Sequence, residues 1–297
     1  MSSLKNPPDP IHRVGLVANP EKGESEPLVA EAARLLAAHG LHVAGDAPTI
    51  RMTHLRIERH RDARRLADAV DLLLVFGGDG TILRVAREIA GSPTPILGIH
   101  VGRLGFLAQV TADQLPRAVD QIVAGDFRVE PRPLIQATRR QGRRTSPMLA
   151  LNDFVFTRGE ISRMIELEVE VDEEELTRYR CDGLIVASPT GSTAYSLAAG
   201  GSIVSPTARV FTITPICPLT LSNRSVVVDL DSTIVVRVCT GRLQTHLTAD
   251  GQVAVALRVR DEIAIARAKE EVRLLRLGGN SFFQTLRQKL HWSGSHA

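Results

Sequence analysis

The sequence predicts an α/β domain built on a parallel sheet, followed by a β-rich domain. Residues 13 to about 125 alternate strand-like and helix-like segments, which is typical of a parallel sheet with helices on both faces. From about residue 127 the segments become short, β-rich and separated by turn residues, which indicates a mostly antiparallel sandwich or layered sheets. We place the first domain at residues 1–126 and 279–297, and the second at residues 127–278.

In the first domain, short apolar runs predict strands and helical stripes predict helices. The expected strands are 14–18, 41–43, 71–76 and 96–99. The expected helices are 28–36, 63–70, 82–90 and 115–124. Gly40, Gly91 and Gly125 follow three of these helices, at the position where a left-handed helix end favours glycine. Ligands of such sheets bind beyond the carboxyl ends of the strands.

The second domain is predicted from alternation and from turn spacing. Apolar residues at 165, 167, 169 and 171 alternate with glutamates, which is the pattern of a strand with one wet face. Further strands are expected at 183–188, 225–228, 234–238, 253–259, 262–266 and 272–277. Residues 281–290 carry apolar side chains at helical spacing, and we expect this helix to pack onto the first domain.

Composition excludes several classes of protein. Apolar residues make up 43% and charged residues 23% of the 297, as in an ordinary globular enzyme. The net charge is only +3, and the short clusters Arg139-Arg140 and Arg143-Arg144 lack interleaved aromatics, so no nucleic-acid partner is predicted. The polar N-terminus and the absence of an apolar run of about 18 residues predict no signal peptide and no membrane partner. Three widely spaced cysteines fit free thiols in the cytoplasm, without metal-ligand spacing.

The run Gly77-Gly78-Asp79-Gly80-Thr81 lies between a predicted strand and a predicted helix. Its glycines allow a ligand to approach the backbone, and amides at a helix start attract phosphate. A carboxylate there would repel phosphate unless it holds a cation or takes a proton from an attacking hydroxyl. The motif therefore indicates phosphoryl transfer, without a P-loop or a protein-kinase motif set. For these five residues alone, a tight turn in which Asp79 caps the helix remains an alternative.

A second cluster occupies residues 182–201, where five serine and threonine residues fall within positions 188–196. Hydroxyls and backbone amides suit ribose and amide groups better than metals, and Tyr195 could stack on a base. The alternative is a strand, a turn and a short helix closed by Gly200-Gly201.

Three shorter runs are ambiguous by themselves. Asn152-Asp153 commonly means only a turn, and Asp250-Gly251-Gln252 alone predicts a β-hairpin turn. The glycines of 102–107 suit a loop that lines a ligand, with Phe106 either in the core or as a wall for a base.

Taken together, these runs resemble the NAD kinase family. The resemblance extends from about Val14 to Trp292 and rests on order and spacing. Its motifs are GGDGT at 77–81, GRLGFL at 102–107, the Asn-acidic pair at 152–153, DGLIVASPTGSTAYSLAAGG at 182–201 and DGQ at 250–252. It implies a phosphotransferase with an alcohol acceptor, in which the 2′-hydroxyl of the adenosine ribose of NAD attacks the γ-phosphorus of ATP. It also implies a Rossmann-like N-terminal domain and a β-sandwich-like C-terminal domain.

The resemblance assigns roles to residues of this chain. Asp79 is the implied proton acceptor. The residues implied in NAD binding are Asp79, Gly80, Arg84, Phe106, Asn152, Asp153, Arg163, Arg180, Asp182, Thr193, Ala194, Tyr195, Ser196, Leu197, Ala198 and Gln252. The implied phosphate-donor loop consists of Gly77, Gly78, Gly80 and Thr81. Many relatives carry Glu in place of Asp153 and several carry Ser in place of Ala198, so one ligand contact is in doubt at each position.

The resemblance also implies a divalent metal ion, Mg²⁺, held mainly through nucleotide phosphates and not by a dedicated protein cluster. The implied partners are NAD, ATP and further copies of the chain in a homodimer or homotetramer. Inorganic polyphosphate stays open as a donor. Two weaker alternatives are a lipid kinase with the same GGDG loop, which leaves residues 182–201 unexplained, and a non-catalytic NAD(P)-binding sensor, which leaves Asp79 unexplained.

Overall fold

The computed structural model describes residues 10–21, 23–102, 105–140, 147–159, 163–220, 222–240, 245–278 and 281–292. The chain divides into two compact units, one formed by Met1–Pro131 with Val272–Ala297 and the other by Arg132–Glu271. No helix in these described stretches is both long enough and apolar enough to cross a lipid bilayer.

The α-helices, in chain order, are α1 Glu26–Ala38, α2 Ala47–Thr53, α3 Ala63–Ala67, α4 Asp79–Glu88, α5 Leu115–Val123, α6 Tyr195–Ala198 and α7 Phe282–Lys289. The strands are β1 Arg13–Ala18, β2 His42–Asp46, β3 Glu58–His60, β4 Leu72–Gly77, β5 Ile96–His100, β6 Phe127–Arg139, β7 Met148–Ala150, β8 Asp153–Arg158, β9 Ile165–Val171, β10 Glu174–Cys181, β11 Gly183–Ala187, β12 Val210–Ile216, β13 Val226–Asp229, β14 Ile234–Val238, β15 Thr245–Ala249, β16 Val253–Leu257 and β17 Glu262–Leu277.

The first unit is an α/β domain, as predicted. Its strands β5, β4, β1, β2 and β3 lie side by side in that order, and every pair is parallel. Side chains from alternate strand positions pack with α1 and α5 in one core cluster. On the opposite face, a Cβ added to Gly15 would lie 2.9 Å from Leu66 of α3, and one added to Gly98 would lie 2.4 Å from Ile82 of α4. Helices therefore cover both faces of this sheet.

The carboxyl ends of β4 and β5 are neighbours, because Gly77 and His100 are opposite each other in the register of the two strands. The chain leaves β4 directly into α4, and it leaves β5 into the 102–107 loop. Of that loop, Arg103 and Leu104 lie outside the described residues. The two predicted motif loops of the first unit thus start from adjacent strand ends.

The second unit contains two antiparallel sheets, as expected for a sandwich. One sheet runs β13-β12-β11-β8-β15-β16, and the other contains β10, β9, β14 and the first part of β17. Their inner faces share one core, which includes Phe154, Phe156, Phe211, Leu167 and Val236. The predicted alternation of β9 is confirmed, since Ile165, Leu167 and Val169 are all fully buried.

The structure differs from the sequence expectations in several elements, including strands β10, β12 and β15, which are not predicted. The predicted strands 262–266 and 272–277 form one continuous strand, β17. The charged residues between them do not break it, because Ala268 faces inward while Arg267 and Lys269 point outward. Helix α2 has no counterpart among the predicted helices, although the Asp46 carboxylate caps it by accepting from the amide of Thr49 at 3.0 Å. Of the arginine clusters, Arg143 and Arg144 lie outside the described residues.

We expect Gly98→Ala to destabilise the first unit, because the new Cβ would lie 2.4 Å from Ile82 Cδ1 and 2.9 Å from the backbone Cα of Ala108. Overpacking of this kind costs about 1–3 kcal/mol of the free energy of unfolding, measurable by thermal or urea denaturation. Gly278→Ala is the control, since its Cβ would meet atoms only at 3.4 Å or beyond. Equal stability of the two variants would contradict this account of the packing.

Candidate active site

The GGDGT turn is built for close packing at the end of β4. Gly77 has a φ of +155°, and a Cβ there would lie 2.3 Å from the Thr81 hydroxyl oxygen. Gly78 is the N-cap residue of α4, and no side chain caps this helix. The alternative in which Asp79 merely caps the helix is therefore wrong.

The carboxylate of Asp79 instead accepts hydrogen bonds from three consecutive backbone amides. Oδ2 accepts from Phe106 N at 2.8 Å, while Oδ1 accepts from Leu107 N at 3.1 Å and Ala108 N at 3.4 Å. A Cβ on Gly105 would lie 1.9 Å from Oδ1, so the loop reaches the carboxylate only because residue 105 is glycine. An ionised carboxylate offers about four acceptor sites, so a further donor can still bind Asp79.

The other predicted site residues of the first unit are close to Asp79 or to its amide donors in the chain, and they differ in burial and in their contacts. Arg84 is on α4 and forms an i,i+4 ion pair with Glu88 at 2.8 Å. Phe106 is half-buried and lines a largely polar cavity of about 240 Å³, so it is a cavity wall and not part of the core. Gly80 is exposed in the first turn of α4, and Thr81 is buried behind Gly77.

In the second unit, Asp250 organises the Asn152-Asp153 pair. Its carboxylate accepts from the amides of Leu151 at 3.1 Å, Asn152 at 2.7 Å and Asp153 at 3.3 Å. Asp250 lies in the tight turn between β15 and β16 with a φ of +50°, followed by Gly251 at +65°. The hairpin-turn prediction for residues 250–252 is confirmed. Asp250 also holds the start of β8 through these hydrogen bonds.

The side chain of Asp153 is almost fully buried and lies near a second carboxylate. Burial is the larger cause and the charge of Asp250 the smaller one, and together they raise the pKa of Asp153 from 3.8 to about 7. Near neutral pH this carboxyl group therefore exchanges a proton, and it can donate as well as accept a hydrogen bond.

The 188–193 segment packs directly on Asn152. Ser188 donates its amide to Asn152 O at 2.8 Å and its hydroxyl to Leu151 O at 2.6 Å. A Cβ on Gly191 would lie 2.1 Å from Asn152 O. Two buried polar atoms of this cluster, Asn152 Oδ1 and Thr190 Oγ1, have no hydrogen-bond partner within the described part of the chain. Such atoms are costly unless a ligand or water satisfies them.

Residues 193–198, which belong to the 182–201 motif, differ from one another in exposure. Tyr195 is 47% exposed, and its ring is available to stack on a base. Ser196 is fully buried, and its hydroxyl hydrogen-bonds with the Thr214 hydroxyl at 3.0 Å. Thr193, Ala194 and Leu197 are half-buried and Ala198 is exposed. The hydroxyl of Ser196 thus connects α6 to β12.

The remaining predicted residues lie on surfaces of the second unit. Asp182 forms an ion pair with Arg158 at 3.4 Å, and the Arg180 side chain is exposed. Arg163 and Gln252 are exposed as well.

Sequence reasoning missed Asp250 and Gly105 as determinants of the site. Asp250 was visible only as part of a turn motif, and nothing local indicates that it binds amides about a hundred residues earlier. Gly105 was visible as one glycine of GRLGFL, but its contact with Asp79 depends on the pairing of β4 with β5. Among the described residues, no group of three or more His, Cys, Asp or Glu side chains is placed to hold a metal ion.

Comparison with known proteins agrees with this arrangement. Residues 14–127 match the family model of the ATP-NAD kinase N-terminal domain, and residues 151–277 match that of the ATP-NAD kinase C-terminal domain. The NAD kinase of Moorella thermoacetica is 41% identical over 96% of this chain and 91% of its own length. The NAD kinase of Symbiobacterium thermophilum is 45% identical over 74% of this chain and 78% of its own length.

Two solved structures share the fold. Yeast NADH kinase, crystallised with NADH, has a TM-score of 0.87 at 25% identity and covers 98% of this chain and 90% of its own. The Archaeoglobus fulgidus NAD kinase, solved with ATP, has a TM-score of 0.76 at 26% identity and covers 95% of this chain and 100% of its own. Fold and site therefore define a kinase. The chain belongs to the NAD kinase family, whose reaction is the phosphorylation of NAD by ATP to give NADP.

We expect Gly105→Ala to disrupt the Asp79 cradle, because its Cβ would lie 1.9 Å from Oδ1. A displacement of about 1 Å within an active site can lower turnover about 10²-fold, and an NADP-forming assay measures whether this one does. Gly278→Ala is the control, because its Cβ would make only ordinary van der Waals contacts, at 3.4 Å or beyond. Full activity in Gly105→Ala would show that the cradle is dispensable.

The raised pKa of Asp153 predicts a pH-dependent stability. Because the folded state holds this proton up to about pH 7 and the unfolded state releases it near pH 3.8, the folded state binds more protons between these values. The free energy of unfolding therefore falls as pH rises through this window, by at most about 1.4 kcal/mol per pH unit from this group. Urea denaturation at several pH values should show a weaker decline in Asp153→Asn. Parallel pH profiles of the two proteins would refute the assignment.

Proposed function

We propose that Asp79 orients the 2′-hydroxyl of the adenosine ribose of NAD and accepts its proton, while the Gly77–Thr81 turn holds the phosphates of the donor. The hydroxyl oxygen bonds to the γ-phosphorus of ATP, the bond to the β-γ bridging oxygen breaks, and ADP leaves. The proton of the hydroxyl passes to a carboxylate oxygen of Asp79. The observation that carries this proposal is that Asp79 is held by three amides at the end of β4, with an acceptor site to spare.

The position of the turn supports the phosphate role. Ligands of parallel α/β sheets bind beyond the carboxyl ends of the strands, and the start of a helix favours anions. The GGDGT turn combines both features between β4 and α4. A sugar hydroxyl is a poor nucleophile, and a positioned carboxylate base contributes about 10²–10⁴-fold to the rate.

We further propose that the second unit binds the acceptor nucleotide through its unsatisfied polar atoms. Asn152 Oδ1 and Thr190 Oγ1 are buried without partners, and hydroxyl or amino groups of NAD would supply them. Protonated Asp153 can donate to a ligand oxygen where an ionised carboxylate could not. In this proposal the other NAD-contacting residues are Gly80, Arg84, Phe106, Arg163, Arg180, Asp182, Thr193, Ala194, Tyr195, Leu197, Ala198 and Gln252. Ser196 contributes through its packing on Thr214.

A divalent ion, Mg²⁺, completes the proposed reaction, and it would neutralise charge on the phosphates that bind it. The chain's own contribution is to bind and orient both nucleotides. We also propose that the chain self-associates as a homodimer or homotetramer, which light scattering of the purified protein would test.

The test is a purified-protein assay with NAD, ATP and Mg²⁺, in which an NADP-specific dehydrogenase reports the product. We expect Asp79→Asn to keep the amide contacts in part, to bind NAD, and to lose about 10²–10⁴-fold in kcat. NAD affinity, measured by calorimetry, is the control for an intact site. Turnover by Asp79→Asn near that of the wild type would exclude the role as a base.

Two further assays test which donor and which acceptor the protein uses. Inorganic polyphosphate replaces ATP in one, because the turn has backbone amides and no side chain selective for a nucleoside. NADH replaces NAD in the other, because yeast NADH kinase, which shares the fold, was crystallised with it. Product in either arm widens the substrate range without altering the role of Asp79.

A further inference from the structure

One buried polar side chain beside the GGDGT turn has no hydrogen-bond partner. His100 ends β5 opposite Gly77 and is only 5% exposed. Neither Nδ1 nor Nε2 of its ring has a hydrogen-bond partner among the residues that the structure describes. Its backbone is anchored, because His100 N donates to Val110 O at 2.7 Å. The ring therefore carries an unused donor and an unused acceptor in the interior.

The strand register places this ring on the side of the sheet that α4 covers. Leu97 and Ile99 belong to the core cluster that contains α1 and α5, so the alternate positions Gly98 and His100 face the other way. A Cβ on Gly98 would touch Ile82 of α4 and Ala108, the residue whose amide binds Asp79. His100 lies one pleat further toward the strand's carboxyl end. Its ring is thus on the face of the sheet where α4 and the Asp79 cradle lie.

A histidine in this place is not explained by packing. A buried polar group without a partner is costly, and an apolar residue of similar size would fill the space without that cost. Both ring nitrogens are in this condition. We therefore infer that the ring nitrogens of His100 form hydrogen bonds in another state of the protein.

We propose that His100 is a positioning residue for the donor nucleotide, and that its ring hydrogen-bonds to the backbone of the Gly77–Thr81 turn when a nucleoside triphosphate occupies that turn. The inference rests on the proposed phosphate role of the turn. Because both ring nitrogens are buried, the partner is the turn itself and not the substrate. A ligand shifts a conformational equilibrium only through an interaction that differs between the two states, and this hydrogen bond is such an interaction.

The experiment compares His100→Leu, His100→Asn and the wild type. We measure the Tm of the free protein, the rise in Tm with saturating MgATP, and the KM values for ATP and NAD. We expect His100→Leu to keep or raise the Tm of the free protein. Loss of one hydrogen bond should raise the KM for ATP about 2- to 12-fold and reduce the ATP-dependent rise in Tm, with the KM for NAD unchanged. His100→Asn, whose amide is both donor and acceptor, should restore most of the ATP affinity.

Thr94→Val is the matched control for loss of a buried polar group in the same unit. Thr94 is 6% exposed, and its hydroxyl is satisfied because it donates to Ala67 O at 2.7 Å. Its loss should lower the Tm of the free protein and leave the KM for ATP unchanged. If His100→Leu behaves like Thr94→Val, or leaves the KM for ATP and the ATP-dependent Tm rise unchanged, the proposal is overturned.

The variant Gly77→Ala tests the phosphate role of the turn independently of the role of His100. Gly77→Ala would place a Cβ 2.3 Å from the Thr81 hydroxyl and disturb the turn directly. If Gly77→Ala raises the KM for ATP and His100→Leu does not, only the role of His100 fails. If neither variant changes it, the phosphate role of the turn fails as well.

Discussion

The hydrogen bonds between the Asp79 carboxylate and the amides of residues 106–108 determine the shape of the first unit's site. They join the start of α4 to the loop that follows β5, and both elements grow from adjacent strand ends. A charged acceptor with several amide donors is among the stronger hydrogen-bonded arrangements available to a protein. Together with the pairing of β4 and β5, these hydrogen bonds hold the second loop against the glycine-rich turn. The same carboxylate that we assign to proton transfer is therefore also the anchor of its own surroundings.

The second unit repeats this device with other residues. Asp250 accepts from the consecutive amides of residues 151–153, and it thereby fixes the pair Asn152-Asp153 at the start of β8. In each unit, one aspartate accepts hydrogen bonds from three successive backbone N–H groups. One consequence is electrostatic, since the charge of Asp250 contributes to the raised pKa of buried Asp153. Organisation and proton affinity at this site are thus coupled through a single side chain.

The sequence predicted the class of each unit because the patterns involved are local. Alternating segments gave the parallel sheet, and the period-two pattern of β9 gave a sandwich strand. The merged strand β17 was mispredicted because its charged middle looked like a turn, whereas alternation let Arg267 and Lys269 point outward. Motif residues could be listed from the sequence, but the contacts of Gly105 with Asp79 and of Asp250 with residues 151–153 depend on strand pairing. Burial separates Ser196, which packs inside, from the exposed Tyr195, and the sequence does not contain that distinction.

Both anchors recognise main-chain N–H groups, which every amino acid except proline provides. The side chains at 106–108 and 151–153 can therefore change during evolution without loss of the anchoring contacts, provided that their packing and ligand contacts tolerate the change. Asp79, Asp250, Gly105 and Gly191 have less freedom, because the anchors use the charge and length of the aspartates, and a Cβ at either glycine would clash with its neighbour. The contacts of the two anchors thus restrict the aspartates and glycines that form them, and they leave the side chains of the amide-donating residues less restricted. Enzymes of this kind can diverge in substrate preference while keeping the same loop geometry.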